Sequence, residues 1–390
     1  MAASQAGEIR SMKIALVANY PADNQPSMSR YAAFLERELR RAGHDAWIIY
    51  PRIYARKLLS SDNHLGKWLG YVDKFLLFRI GFSSLIAGAD IVHICDHSNS
   101  VYLPWIKSIP RVITCHDALA IRSALNHFPV NPTRTSGKVL QLWIRKSLKR
   151  ADRVLYVSQK TRFDFEQLLG IEAPSECIPH ALNWPYSVAA DADIASTMRQ
   201  FGLQRDHYIL HVGGNDWYKN RRGVLRMFAE LRREDRFRSL RLVMVGKPLN
   251  AEMRTWCQTN LLTDVLELVD IDNEQLGNLY SGSFALLFPS LEEGFGWPVL
   301  EAQACGCPVV TSNRPPMTQI AGEGAQFVDP LKPESIHEAA RACAENRKSI
   351  IDAGFHNLAR FSVQDVIRRY EAFYDAALHS GKSTKAKEAP

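Results

Sequence analysis

Long apolar runs are missing from this chain of 390 residues. None reaches the ~18 residues that a membrane-spanning helix needs. The first dozen residues, MAASQAGEIRSM, carry no apolar signal core. The chain is therefore expected to be neither exported nor embedded, to reside in the cytoplasm, and to begin its fold near Met12-Lys13. Cysteine is sparse: seven residues, an odd number at irregular spacings, fit a reducing compartment rather than a disulfide framework. Cys305-Gly-Cys307 has the wrong spacing for a zinc knuckle, and no second Cys/His cluster follows it. It reads as small residues at a tight helix-to-strand turn. Internal repeats are absent, as is any interleaved aromatic-basic motif of nucleic-acid recognition.

What remains is a globular composition, 46% hydrophobic and 10% aromatic, too long for one ordinary domain. Charge is unevenly spread. Residues 1–150 hold 21 Lys/Arg against 10 Asp/Glu, and residues 151–390 hold 27 against 31. A basic first half predicts an anionic partner there: a membrane surface, a phosphorylated acceptor or nucleic acid.

Short apolar runs recur at 13–19, 46–50, 91–95, 112–115 and 154–157, with helical stretches between them, the first over Ser29 to Ala42 closed by Gly43. A second set follows at 208–213, 240–245, 265–269, 284–288, 308–311 and 325–328. This alternation predicts open parallel sheets with helices on both faces. The weakly patterned stretch from Asn183 predicts a boundary near 183–195, giving domains at 1–185 and 186–360. A last helix is expected over 361–379, and a polar, disordered tail over 380–390.

The densest pattern is Pro289 to Val310, PSLEEGFGWPVLEAQACGCPVV. A buried strand ends at Pro289, and Pro298 suits the first position of a helix that stops at Gly306. Gly294 and Gly296 leave backbone amides bare before that helix, where a ligand can approach closely. Glu293 in the loop and Glu301 about one turn into the helix can flank one ligand at two heights. Upstream, Lys219 lies just past a Gly213-Gly214 turn at a strand end, before a helix starting near Arg221.

These residues together resemble the donor site of retaining GT-B glycosyltransferases of family 4, over nearly the whole chain and most strongly in its second half. The resemblance implies two Rossmann-like doubly wound domains facing a cleft, with a nucleotide diphosphate sugar held mainly by the second. It assigns Lys219 with Asn220 to the pyrophosphate, Glu301 to the ribose hydroxyls and Glu293 to the transferred sugar. The amides of Gly294, Phe295, Gly296 and Trp297 would lie against sugar and phosphate, although Trp297 also reads as packing. Gly213 and Gly214 form the turn, but Gly214 stands where the family has a basic residue; Arg221 or Arg222 is the candidate substitute. In the first domain the resemblance places His116 against the donor sugar, and Asp117, Ser29 and Arg30 on the acceptor side. The Asp23-to-Ser27 stretch replaces the usual glycine-rich turn there. His180 stands at the expected interdomain hinge.

Asp270-Ile-Asp272 spells the metal-binding pair of a different glycosyltransferase fold. Asp272-Asn-Glu-Gln-Leu reads instead as a helix N-cap, so neither a metal nor another cofactor is expected. The function implied is hexose transfer to a glycan or lipid-linked acceptor in cell-envelope polysaccharide or glycolipid synthesis. The alternatives are a GT-B epimerase or phosphorylase-like enzyme, or a non-catalytic binding module. Trp68, Tyr71, Phe75 and Phe78 at helical spacing predict one aromatic stripe flanked by Lys67, Lys74 and Arg79. That stripe reads either as an ordinary core-facing helix or as one resting on the anionic cytoplasmic membrane face.

Overall fold

Apolar runs with no alternation need cover on both faces, and parallel sheets supply it. The computed structural model, which describes residues 11–58 and 64–387, contains two such six-stranded parallel sheets. The chain divides into two units, residues 1–179 with 363–390, and 180–362.

In unit 1 the strands are β1 (Lys13–Val17), β2 (Asp45–Ile49), β3 (Ile91–Ile94), β4 (Arg111–Cys115), β5 (Arg153–Tyr156) and β6 (Ser175–Cys177). Their order is β2-β1-β3-β4-β5-β6, so the winding reverses between β1 and β3. Its helices are α1 (Pro26–Arg41), α2 (His64–Tyr71), α3 (Phe78–Leu85), α4 (Leu119–Ala124), α5 (Thr135–Leu148) and α6 (Gln159–Leu169). A π-helical turn, Val72–Leu77, joins α2 to α3.

Unit 2 carries α7 (Asp191–Phe201), β7 (Tyr208–Val212), α8 (Arg221–Leu231), β8 (Arg241–Val245), α9 (Ala251–Thr259), β9 (Val265–Leu268), α10 (Asn273–Gly282) and β10 (Ala285–Phe288). It continues with α11 (Trp297–Ala304), β11 (Val309–Ser312), α12 (Met317–Ala321), β12 (Ala325–Val328), α13 (Ile336–Glu345) and α14 (Arg347–Leu358). The order β12-β11-β10-β7-β8-β9 reverses between β7 and β10. Ligands of open α/β sheets bind at such reversals, beyond the carboxyl ends of the strands.

The final helix, α15 (Val363–Lys387), belongs to unit 1. Buried hydroxyls and a histidine fasten it there. Tyr370 and Tyr31 hydroxyls meet at 2.8 Å, and Tyr31 also meets Thr114 at 3.0 Å. His93 bridges Tyr374 and Thr114, both at 2.7 Å. At its rim the His44 ring, which accepts from the Met12 amide, donates to Glu371 at 3.0 Å.

Several expectations shift. The units divide at Pro179 and His180, ahead of the stretch from Asn183. The segment from Ser380, expected to be disordered, continues α15 to Lys387, because no proline or glycine-rich stop intervenes. Residues 388–390, like 1–10 and 59–63, lie outside the described residues. The aromatic stripe is split. Trp68, Tyr71 and Phe75 follow one another at 5.6 Å between ring centroids, whereas Phe78 turns into the core against Phe82 and Tyr102. The π-helical turn explains the split, since one wide turn advances the following residues around the axis. It also buries Asp73, which accepts from the Ala55 amide at 2.7 Å and the Tyr20 hydroxyl at 2.6 Å. Of the flanking cations, Lys74 pairs with Asp23 at 2.9 Å, and Arg79 lies over Trp105.

Candidate active site

At the reversal in unit 2, two loops leave the carboxyl ends of β7 and β10 and are laced together. The Leu291 amide donates to Tyr218 O at 2.8 Å. Asn220, in the left-handed region at φ 53°, begins α8, and its side-chain amide donates to Pro289 O and Pro330 O, both at 2.9 Å. Asn220, expected at the donor, lies at this junction, where its side chain staples the loops.

Lys219 and Glu293 meet across this junction, Nζ to Oε1 at 2.7 Å. The same Oε1 accepts from the Ser290 hydroxyl at 2.9 Å, and Ser290 and Glu293 are both buried. The two residues assigned to phosphate and sugar therefore share one spot. Eight positions on, Glu301 is buried in α11, and its Oε2 accepts from the Tyr280 hydroxyl at 2.9 Å. Burial, reinforced by the Glu301 charge, pushes the Tyr280 phenol well above its ordinary range, which keeps it a donor. Tyr280 comes from α10 and has no local motif.

Gly296, at φ 100°, occupies a conformation that disfavours side chains, and a Cβ there would collide with Met317. This bend lets α11 start with Pro298 in its first turn and its amides toward the loop. The side chains of Phe295 and Trp297 pack against one histidine. The His180 ring lies T-shaped to Phe295 at 4.9 Å and stacked on Trp297 at 4.3 Å. Trp297 Nε1 also donates to Ala181 O at 3.1 Å. Glu292 and Gly294 complete the loop.

Beneath the Gly213-Gly214 turn sit two buried polar side chains, His211 and Arg221. His211 is fully buried, donates from Nδ1 to Leu287 O at 2.9 Å, and is pushed down to about 3 by burial. Its Nε2 has no hydrogen-bond partner among the described residues, and a Cβ on Gly213 would press on it at 3.3 Å. Arg221 is buried rather than solvated. It donates to Asn215 Oδ1 and, at 2.6 Å, to Lys247 O, while its Nε and Nη2 lack a partner among the described residues. Burial lowers its pKa from the ordinary guanidinium value. Arg222 instead pairs with Glu252 on the surface at 2.6 Å. Of the two candidate substitutes for the missing cation, Arg221 is the one placed behind the turn.

Asp272 is the N-cap of α10 in a reciprocal capping box with Gln275, accepting from its amide at 2.8 Å. No group of three or more His, Cys, Asp or Glu that could hold a metal occurs among the described residues. Cys305 and Cys307 flank Gly306 at φ 67° in the turn after α11, and both are free and buried.

In unit 1, Asn19, Asp96 and His116 gather at the carboxyl ends of β1, β3 and β4, beside that sheet's reversal. His116 is buried, donates from Nε2 to Cys95 O at 2.8 Å and stands edge-on to Tyr31 at 4.8 Å. Burial lowers its pKa, which keeps the ring neutral. Asp117 is half-buried and accepts from the Leu119 amide at 2.9 Å, starting α4. Ser29 and Arg30 lie exposed in the first turn of α1. Next to His116 lies a pair that sequence reasoning missed, Asp96 and His97, 3.1 Å apart and both buried. Burial works to raise the Asp96 pKa, but His97, His116 and the Asn19 amide hold the carboxyl well below its usual range. Burial works to lower His97, yet Asp96 and then Asp117 raise it. The Nδ1 contact falls outside hydrogen-bond geometry among the described residues.

The profile of Glycosyltransferase Family 4 matches residues 28–183, and that of Glycosyl transferases group 1 matches residues 193–354. The chain belongs to the family 4 glycosyltransferases. Among curated relatives, O-antigen chain mannosyltransferase B of Escherichia coli is 27% identical over 251 residues, 62% of this chain and 62% of its own length. RfbU, an O-antigen chain mannosyltransferase of Salmonella typhimurium, is 33% identical over 104 residues, 27% of each chain. Thus the matched part spans less than two thirds of either relative. Among solved structures, sucrose-phosphate synthase from Thermosynechococcus elongatus superposes with a TM-score of 0.73 at 18% identity, covering 95% of this chain and 100% of that one. HepE of Anabaena, in complex with UDP-glucose, gives 0.70 at 16% identity over 95% and 100%. The fold of this family 4 chain is GT-B.

Proposed function

We propose that this chain is a retaining glycosyltransferase that moves a hexose from a nucleotide diphosphate sugar to a hydroxyl of a growing polysaccharide or lipid-linked glycan. The observation that carries the reading is the Lys219–Glu293 pair at 2.7 Å on the carboxyl edge of the second sheet, with Glu301 buried eight positions on. Two mannosyltransferases of O-antigen chains among the relatives support mannose as the hexose.

The assigned roles follow from charge. Breaking the bond to the sugar leaves negative charge on the β-phosphate, so a cation aimed there stabilises the transition state. On donor binding Lys219 shares its ammonium between Glu293 and that phosphate. The backbone amides of Gly214 and Gly296, near two helix starts, add partial positive charge. Arg221 adds a buried full charge where Gly214 supplies none. Glu301, oriented by Tyr280, takes the ribose hydroxyls, and Glu293 takes a hydroxyl of the sugar. From unit 1, His116 is assigned to the transferred sugar, and Ser29, Arg30 and Asp117 to the acceptor. Retention follows from front-face attack, with the departing phosphate helping to remove the acceptor proton.

The test is turnover of a panel of nucleotide sugars, GDP-mannose and UDP-glucose among them, with and without a mannan-type acceptor. The product's anomeric configuration is then read by NMR. An inverted product removes the retaining mechanism, and donor conversion without acceptor favours an epimerase. Activity is expected to survive EDTA; a loss restored by manganese overturns metal independence.

A further inference from the structure

Unit 1 carries apolar side chains that its own fold leaves uncovered. Leu76 and Leu77 in the π-helical turn and Ile80 in α3 are exposed, Ile80 at 81%. Val139, Leu142 and Trp143 of α5 are exposed as well, and their three- and four-residue spacings put them on one helix face. The Phe75 ring lies 4.9 Å from that of Trp143, so the two helices are neighbours at this surface. No helix among the described residues is long and apolar enough to cross a membrane. These residues are therefore suited to a surface and not to a span.

Charge identifies the occupant. Between Asp117 and Asp152 the chain has no Asp or Glu against seven Lys and Arg. Lys138, Lys146, Lys149 and Arg150 of that segment are exposed. Along residues 64–85 the one acid is Asp73, which is fully buried. We propose that α3, the π-helical turn and α5 dock unit 1 on a membrane surface containing anionic lipid. The aliphatic side chains and Trp143 enter the headgroup boundary while the lysines meet lipid phosphates. A second copy of the chain would bring like charges face to face with no acid to answer them. Nucleic acid would leave Ile80, Val139 and Leu142 without a role. The face also differs from the Trp68-to-Phe78 stripe, whose last ring, Phe78, is core.

The proposal does not rest on the transferase reading. It is tested by sedimentation of the full chain with vesicles of phosphatidylcholine, with and without phosphatidylglycerol. Binding is expected only with phosphatidylglycerol. Ile80→Ser with Leu142→Ser should lower it by about tenfold or more. Lys146→Glu with Lys149→Glu should lower it by at least ~25-fold, about fivefold for each charge. Quenching of tryptophan emission by acyl-brominated lipid should fall in Trp143→Tyr. All these positions are exposed, so the melting temperature and nucleotide-sugar binding are expected to stay unchanged. Absence of sedimentation at low salt overturns the proposal, as does binding that salt abolishes and the serine pair leaves intact. A dimer in light scattering that the serine pair dissolves assigns the face to a second copy instead. Vesicle binding by a chain that binds no nucleotide sugar would sink the transferase reading alone.

Discussion

Glu301 reaches its place through two neighbours of different origin: α11 sets its height, and the Tyr280 hydroxyl on Oε2 sets its direction. A buried carboxylate accepting ribose hydroxyls contributes roughly 1.5–3 kcal/mol, so Glu301→Ala should weaken nucleotide binding about 10- to 150-fold. Tyr280→Phe should weaken it about tenfold or less, because the carboxylate stays but loses its orientation. Calorimetry with the free nucleotide checks both, and unchanged affinity in Glu301→Ala would remove the ribose assignment. Lys219→Ala should act differently. Charge on the leaving phosphate grows in the transition state, so kcat should fall roughly 100- to 1000-fold while donor affinity changes much less. A loss confined to affinity would contradict that role. Glu293, Glu301 and Lys219 were legible in the sequence because glycines, prolines and spacing mark their loops. Tyr280 was not, because packing of α10 on α11 sets its partner, and Ser290 and the Asp96–His97 pair, though local, stand at spacings that no motif marks. Asn220 and Trp297 occupy the expected loops, yet loop stapling and ring stacking take up their side chains.

The central strands hold neutral histidines, His93 in β3 and His211 in β7, each pushed down to about 3 chiefly by burial. In the unfolded chain each would titrate near 6.5. The unfolded state thus binds more protons between the two values, and stability is full above about 6.5 and lost as pH falls toward 3. At pH 5 each ring should cost about 2 kcal/mol relative to pH 7. Urea denaturation at the two pH values measures this, and His211→Asn should reduce the pH dependence by about that amount. An undiminished slope in the variant would mean that His211 is not the titrating group. The strands themselves were plain in the sequence, since fully buried parallel strands read as unbroken apolar runs. The exception is β6, three half-buried residues with a glutamate in the middle. The π-helical turn left no trace either, because the apolar spacing through it is that of an ordinary helix.

For the whole molecule, both sheets and the division into two units followed from the recurring runs, but no local pattern marked the point of division at His180. Unit 1 is discontinuous, since α15 rejoins it after unit 2 is complete. A chain ending at Ser362 should keep a folded unit 2 and lose cooperative melting of unit 1, because Tyr31 and His93 would face water without the Tyr370 and Tyr374 hydroxyls. Limited proteolysis of that truncation checks it: resistant fragments from unit 2 only are expected, and a protected fragment of residues 11–179 would contradict it. On the ribosome the sequence of events is then reversed from the order of the code. The earlier-made half must wait, with two of its buried tyrosines still to be translated, while the later-made half already has all its strands. From Pro179 to the end of α15 at Lys387 the ribosome adds 387 − 179 = 208 residues, roughly 10 to 40 seconds at ordinary elongation speeds, and during that time the first half is open to chaperones and proteases.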